Sequence, residues 1–146
     1  MDLIRKAEEK DLDSLTGLGL LLWPDHEYGE LGAEFAALME KPDAAFFLVL
    51  TGDEAVGFAQ CQLRHDYVEG TQSCPVGYLE GIFVKEGHRG RGLAGKLLAA
   101  CETWAREQGC REFASDCELD NTGSLAFHMN MGFKEAGRII CFAKKL

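Results

Sequence analysis

No stretch of the 146 residues approaches the ~18 consecutive apolar side chains of a membrane span. The opening Met1-Asp2-Leu3-Ile4-Arg5-Lys6 lacks the basic-then-apolar run of a secretory leader, so a cytoplasmic protein without membrane partners is expected. The cysteines, Cys61, Cys74, Cys101, Cys110, Cys117 and Cys141, include no C-x-x-C pair and no Cys/His spacing that builds a zinc site. Reduced thiols and no bound metal are the expectation. Internal repeats and low-complexity segments are absent too, and the length suits one domain over residues 1–146. Positive charge is scarce: 15 Lys and Arg stand against 24 Asp and Glu. The deficit is local, since residues 1–75 hold 15 acidic and 5 basic side chains and the remainder 9 and 10. An acidic half repels nucleic acid and attracts cations, which makes a small polycation a reasonable partner and a phosphate backbone a poor one. Charge alone also fits a purely solubilising surface.

What is present is an ordinary globular composition, 47% apolar and 27% charged. Leu3-Ile4 opens a short strand, and Asp11 is placed to cap a helix carrying Leu12, Leu15, Leu18 and Leu22 at helical spacing. Trp23-Pro24 ends that helix, and a second follows from about Glu30 to Glu40. The period then changes to that of strands at Phe46–Leu50 and Ala55–Leu63, joined by the hairpin signal Thr51-Gly52-Asp53-Glu54. A polar connection, Glu69 to Pro75, leads to the apolar run Val76–Val84, which reads as a central strand; Gly81 within it predicts a bulge or a close approach. After a glycine-rich loop, Leu93, Leu97, Leu98, Cys101 and Trp104 mark an amphipathic helix stopped at Gly109. A strand at Cys110–Asp116, a helix at Thr122–Met131 and a final strand at Arg138–Ala143 complete the pattern. The class is α+β with a mixed, mostly antiparallel sheet flanked by helices and a right-handed βαβ unit in the middle.

The loop Gly87-His88-Arg89-Gly90-Arg91-Gly92 links a strand to a helix, which aims backbone N–H groups and a helix dipole at one point and suits an anion. It lacks the G-K-[ST] ending of a P-loop. Glu107 and Glu112, near the distance of the acidic ribose partner in a dinucleotide site, do not end a strand. Ile82-Phe83-Val84 followed by Arg89-Gly90-Arg91-Gly92-Leu93-Ala94 resembles the R-x-x-G-x-A acetyl-CoA motif of the GNAT superfamily of N-acetyltransferases. The resemblance implies a GNAT fold and acetyl-CoA as cosubstrate, with its pyrophosphate on residues 89–94 and its pantetheine arm along Ile82, Phe83 and Val84. A backbone N–H of that strand would stabilise the thioester oxyanion. Downstream, Asn121 matches a coenzyme-contacting Asn, and Gly132-Phe133 matches the closing Gly-Phe. His128 stands where many members place a Tyr that protonates the leaving thiolate; it suits either that acid role or helix packing.

Nearly end to end, the chain resembles the short, dimeric bacterial subclass of aminoglycoside 6'-N-acetyltransferases. The most specific stretches are Leu22-Trp23-Pro24, Arg64-His65-Asp66-Tyr67-Val68, Tyr78–Val84, Gly109-Cys110-Arg111-Glu112 and Ala114-Ser115-Asp116. This implies acetyl transfer to the 6'-amino group of a cationic aminoglycoside, antibiotic resistance, and a homodimer whose last strand pairs across the interface. Trp23, Tyr67, Glu80 and Asp116 would line the acceptor site. The chemistry agrees, because an ammonium must be bound and deprotonated before it attacks a thioester, and Glu80 and Asp116 are carboxylates at or near ends of apolar strands. Each also suits a structural hydrogen bond. Trp23 fits stacking on a sugar or closing the core, and Tyr67 fits hydrogen bonding to an acceptor or to its own strand end. Relatives carry an acidic side chain in the last strand, whereas this chain has Gly137. Two alternatives stay open on the residues: a GNAT enzyme for another small amine or a polyamine, and a non-catalytic CoA-binding module.

Overall fold

The computed structural model describes residues 1–146. Its elements are β1 Asp2–Lys6, α1 Leu12–Leu22, α2 Tyr28–Met39, β2 Ala44–Thr51, β3 Glu54–Arg64, β4 Val76–Val84, α3 Leu93–Glu107, β5 Phe113–Ser115 and α4 Thr122–Asn130. Short 3₁₀ turns occupy Glu9–Asp11 and Glu86–His88. The strands form one sheet in chain order, antiparallel from β1 to β4 and parallel between β4 and β5. The parallel step follows from α3, which carries the chain from one end of the sheet back to the other.

Alternation along β2 sorts the core into two layers. Phe46 and Leu48, with Phe58 of β3, pack against Leu15 and Leu18 of α1 and Leu31 and Phe35 of α2. Ala45, Phe47 and Val49, with Val56, Ala59 and Cys61 of β3, pack against Leu93, Leu97, Leu98, Cys101 and Trp104 of α3. The sheet is therefore covered on both faces, as the apolar run of β4 anticipates. The expected hairpin forms, with Thr51 opposite Glu54 and Gly52 at φ +62.

Three sequence expectations are corrected. Asp11 does not cap α1 with its side chain. Its carboxylate instead accepts two hydrogen bonds from Arg5, at 2.7 and 2.8 Å, and one from the Glu8 amide. A nearby guanidinium, absent from local capping rules, outcompetes the helix amides. The strand expected at Cys110–Asp116 is limited to Phe113–Ser115. The final strand at Arg138–Ala143 does not form: the segment has no ladder and leaves Ile139, Ile140 and Phe142 exposed. Its apolar pattern fits a strand, but a strand exists only beside an edge that pairs with it. All six cysteines are free thiols, with Cys61, Cys101 and Cys110 buried. No helix is long and apolar enough to cross a membrane.

Candidate active site

The parallel pairing of β4 with β5 is short: Gly77 with Phe113, Tyr78 with Ala114 and Leu79 with Ser115. Beyond Leu79, β4 keeps β3 on one side, through Gly81, Ile82, Phe83 and Val84, and has no strand on the other. The two strands thus open into a fork whose one wall is an unpaired backbone edge, a template for an extended ligand.

The bulge expected at Gly81 falls one residue earlier. Gln60 pairs with Gly81 and Cys61 with Leu79, so Glu80 is the extra residue on β4. A bulge breaks the alternation of side chains and re-aims the residue within it. Gly81 answers to a close approach instead: a Cβ there would lie 2.5 Å from the Trp23 indole. Trp23 also meets Phe35 and Phe58 edge-on, at centroid separations of 6.4 and 6.0 Å. It is thereby a core wedge and a wall of the fork at once.

At the mouth of the fork the two carboxylates belong to one network. Glu80 takes a bidentate ion pair from Arg64, with Nη2–Oε1 2.9 Å and Nε–Oε2 3.1 Å. The Arg64 guanidinium lies over the Tyr78 ring, its Cζ 3.6 Å from the centroid. The Tyr78 hydroxyl donates to Oδ2 of Asp116. Burial first, and then that hydrogen bond to a carboxylate, push the Tyr78 phenol well above its ordinary pKa, so it remains a donor at neutral pH. Burial pulls the Arg64 guanidinium down, but the hydrogen bonds and charge of Glu80 outweigh it and the net shift is upward. Arg64 and Tyr78 were not singled out as site residues from sequence. Their partners lie on neighbouring strands and meet only through register, so the one available signal was their position within the stretches that carry the resemblance.

Tyr67 does not join this network. It is exposed, its hydroxyl is 3.5 Å from Glu69, and it lines a cavity of about 420 Å³ with His65, Asp66, Thr71 and Ser73. Gly137 lies against the same Glu69, whose Oε1 is 3.5 Å from where a Cβ would be. Gly137 thus faces a carboxylate of the neighbouring loop.

The glycine-rich loop has the geometry of an anion cradle. Gly90 and Gly92 have φ of +80 and +75, a region costly to any other residue, and no atom lies within 4 Å of a Cβ built on either. Gly92 immediately precedes α3, whose first turn has no side-chain cap and no acidic residue. The amides of Leu93, Ala94 and Gly95 are therefore left for an external acceptor. The two arginines are already engaged. Arg89 donates through Nε to the Val84 carbonyl at 2.7 Å, closing the loop onto the end of β4. Arg91 Nη2 lies 3.0 Å from His88 Nδ1 and 3.4 Å from Asp2 Oδ1.

Asn121 caps α4, its Oδ1 accepting from the Ser124 amide at 3.1 Å. The His128 ring sits between β5 and α4, with Nε2 2.8 Å from Ser115 Oγ and Nδ1 2.7 Å from the Ser124 carbonyl oxygen. Phe133 packs on it with ring centroids 5.0 Å apart. The helix-packing role left open from sequence is therefore filled, and Ser115, not singled out from sequence, is the neighbour that joins the ring to the fork.

Residues 8–133 match the model of the Acetyltransferase (GNAT) family. The chain is 40% identical over 142 residues to an aminoglycoside N(6')-acetyltransferase type 1 of Salmonella typhimurium, covering 97% of this chain and 98% of that protein. It is 41% identical over 144 residues to the enzyme of the same name from Stenotrophomonas maltophilia, covering 98% and 93%. Among solved structures, AAC(6')-Iy in complex with the bisubstrate analogue CoA-S-monomethyl-acetylneamine superposes with a TM-score of 0.96 at 38% identity, covering 100% of this chain and 99% of that one. With a forked β4–β5 pair, an uncapped glycine-rich helix start and these relatives, the chain belongs to the GNAT acetyltransferase family.

Proposed function

We propose that this protein transfers the acetyl group of acetyl-CoA to the 6'-amino group of aminoglycoside antibiotics, by direct attack in a ternary complex, and so confers resistance. The observation that carries the reading is the juxtaposition at the fork: an open β-strand edge that suits an amide-bearing pantetheine arm, beside a carboxylate network that suits an ammonium. The relatives named above carry the same activity in their names.

In this reading the amides of Leu93, Ala94 and Gly95 hold the coenzyme pyrophosphate, and Gly90 and Gly92 keep the cradle clear of side chains. Ile82, Phe83 and Val84 present the backbone edge to the pantetheine arm, and an N–H there donates to the thioester oxygen as negative charge grows on it. Asp116 is the base. It is exposed, one oxygen is taken by Tyr78 and Oδ1 has no protein partner, so a water or the amine itself reaches it. Glu80 has both oxygens on Arg64, which suits it to orienting the ammonium rather than removing its proton. Trp23 and Tyr67 border the acceptor, and the acidic first half of the chain gathers the polycation, so apparent affinity weakens with salt.

Residues 1–146 act as one unit, in the cytoplasm, as a homodimer. The support for the dimer is the tail: Ile139, Ile140 and Phe142 are 81%, 81% and 90% exposed in a single chain, on a segment with strand-like composition and no partner. Sedimentation of the unaltered protein checks this, with a monomer at micromolar concentration counting against it. The acceptor is tested by thiol release from acetyl-CoA with kanamycin, tobramycin and spermidine. Turnover with both drugs is expected; turnover with spermidine alone moves the reading to a polyamine acetyltransferase. Binding of CoA with no turnover on any amine moves it to a non-catalytic module.

A further inference from the structure

Leu79 and Ser115 are the last residues paired before β4 and β5 separate, so the Ser115 hydroxyl stands at the root of the fork. It has two neighbours, the Leu79 carbonyl oxygen at 3.3 Å and Nε2 of His128 at 2.8 Å. On the far side of the imidazole, Nδ1 is 2.7 Å from the Ser124 carbonyl oxygen, with the Ser124 hydroxyl weaker at 3.4 Å. A carbonyl oxygen only accepts, so the hydrogen of the neutral ring sits on Nδ1, and Nε2 is the nitrogen that faces Ser115 Oγ. This defines two arrangements. With a neutral ring, Nε2 accepts from the Ser115 hydroxyl. With a protonated ring, Nε2–H donates to Ser115 Oγ, and the serine's own hydrogen is released from the ring toward the Leu79 carbonyl and the fork.

The charged surroundings are sparse. α4 carries no other ionisable side chain, Phe127 and Phe133 flank the ring, Asp116 lies just past β5 but is held by Tyr78, and Lys134 follows Phe133. No carboxylate is hydrogen-bonded to the imidazole, and its only link to the fork is a hydroxyl.

We infer that Ser115 and His128 form a proton relay to the departing thiolate, with Ser115 as the residue that touches sulphur and His128 as the proton source behind it. The inference rests on the acetyl-transfer reading above. As the amine nitrogen bonds to the acetyl carbon, the carbon–sulphur bond breaks and its electron pair leaves on sulphur. The Ser115 O–H proton passes to sulphur, the His128 Nε2–H proton passes to Ser115 Oγ, and the ring is left neutral with Nδ1 still protonated. Solvent reprotonates Nε2, and the two protons that the ammonium nitrogen loses on becoming an amide, one before attack and one after it, leave through Asp116 and water, so one thiol and, on balance, one proton appear per acetyl group transferred.

The test is the single-turnover rate of acetyl transfer to tobramycin across about pH 6 to 9, for the unaltered protein, Ser115→Ala, Ser115→Thr and His128→Gln. The unaltered rate falls on the basic side, where the relay lacks its starting proton. Ser115→Ala lowers the neutral-pH rate by about 100-fold and removes the basic limb, while its calorimetric Kd for CoA is unchanged. Ser115→Thr, which keeps the hydroxyl, restores both rate and limb, and His128→Gln loses the limb with Ser115 in place. A Ser115→Ala rate within about threefold of the unaltered protein, or a basic limb that persists in that variant, overturns the relay. If the unaltered protein binds CoA and acetylates no aminoglycoside, the acceptor reading fails instead. The same four proteins are then compared on the slow hydrolysis of acetyl-CoA, which releases the same thiolate, and an unchanged rate and pH profile in Ser115→Ala overturns the relay there.

Discussion

On the side of the fork proposed for the coenzyme, the groups offered to a ligand are backbone: the unpaired edge of β4 and the uncapped amides that open α3. On the acceptor side they are side chains from three strands, Arg64 of β3, Tyr78 and Glu80 of β4 and Asp116 just past β5, held together by ion pair, stacking and hydrogen bond. Backbone recognition tolerates change in most side chains but not in the glycines that shape it, whereas the acceptor network depends on every member. One side therefore suits a cosubstrate shared by a whole family, and the other suits the proposed choice of acceptor.

The contrast is broken most severely from the acceptor side. Asp116→Ala is expected to slow single-turnover transfer by about 1000-fold, as loss of a general base does, with the Kd for CoA unchanged. A loss of CoA affinity of similar size in this variant merges the two sides into one. From the coenzyme side, Gly81→Val pushes a branched side chain into the Trp23 indole and costs about 3 kcal/mol of stability. Pairing it with Trp23→Ala recovers part of the melting temperature if that contact is the cause.

Asp11 supplies a control outside both sides. Hydrogen bonding to Arg5 is the main cause that holds its carboxyl down at about 2 from an ordinary 3.8, against the opposing effect of burial. A lowered pKa stabilises the fold fully above the unfolded value and loses that contribution as pH falls through the folded one. The pair is therefore worth about 2 kcal/mol at neutral pH and is lost between about pH 4 and pH 2. Asp11→Asn should lower the unfolding free energy from denaturant titration by that amount at pH 7, close the gap in acid and leave the kinetics alone.

Smaller effects sharpen the comparison. Arg64→Ala frees Glu80 and makes the acceptor site more negative, so kcat falls about tenfold with the lost orientation while KM for tobramycin does not rise. A rise in KM instead makes Arg64 part of the binding surface. Asn121→Ala removes the cap of α4 and costs about 1 kcal/mol in thermal unfolding. If the CoA Kd weakens tenfold as well, Asn121 serves the coenzyme besides its helix.

The elements were largely legible because they depend on local pattern. The 3.6-residue spacing from Leu93 to Trp104 marks α3, alternation and the Gly52 turn mark the β2–β3 hairpin, and the glycines of the loop mark its bend. The site was legible in its members more than in its wiring. Glu80, Asp116 and His128 stand at the fork, but Arg64, Tyr78 and Ser115, which hold them, carry no local signature. Asp11 shows the same gap, since its position before a helix suggests a cap and the arginine that claims it lies on another element.

By itself, then, the amino-acid order determined the sheet-and-helix alternation, the glycine-built cradle, the acidic first half and the family resemblance, because propensity, periodicity and backbone freedom act between near neighbours. Only the tertiary structure decided that β4 and β5 part after Leu79 and Ser115, that the bulge turns Glu80 rather than Gly81 toward Arg64, and that Arg138–Ala143 finds no edge within its own chain. Register, strand separation and edge pairing are relations between segments distant in sequence, set by how two covered faces of one sheet fill their space, and no single segment carries that information.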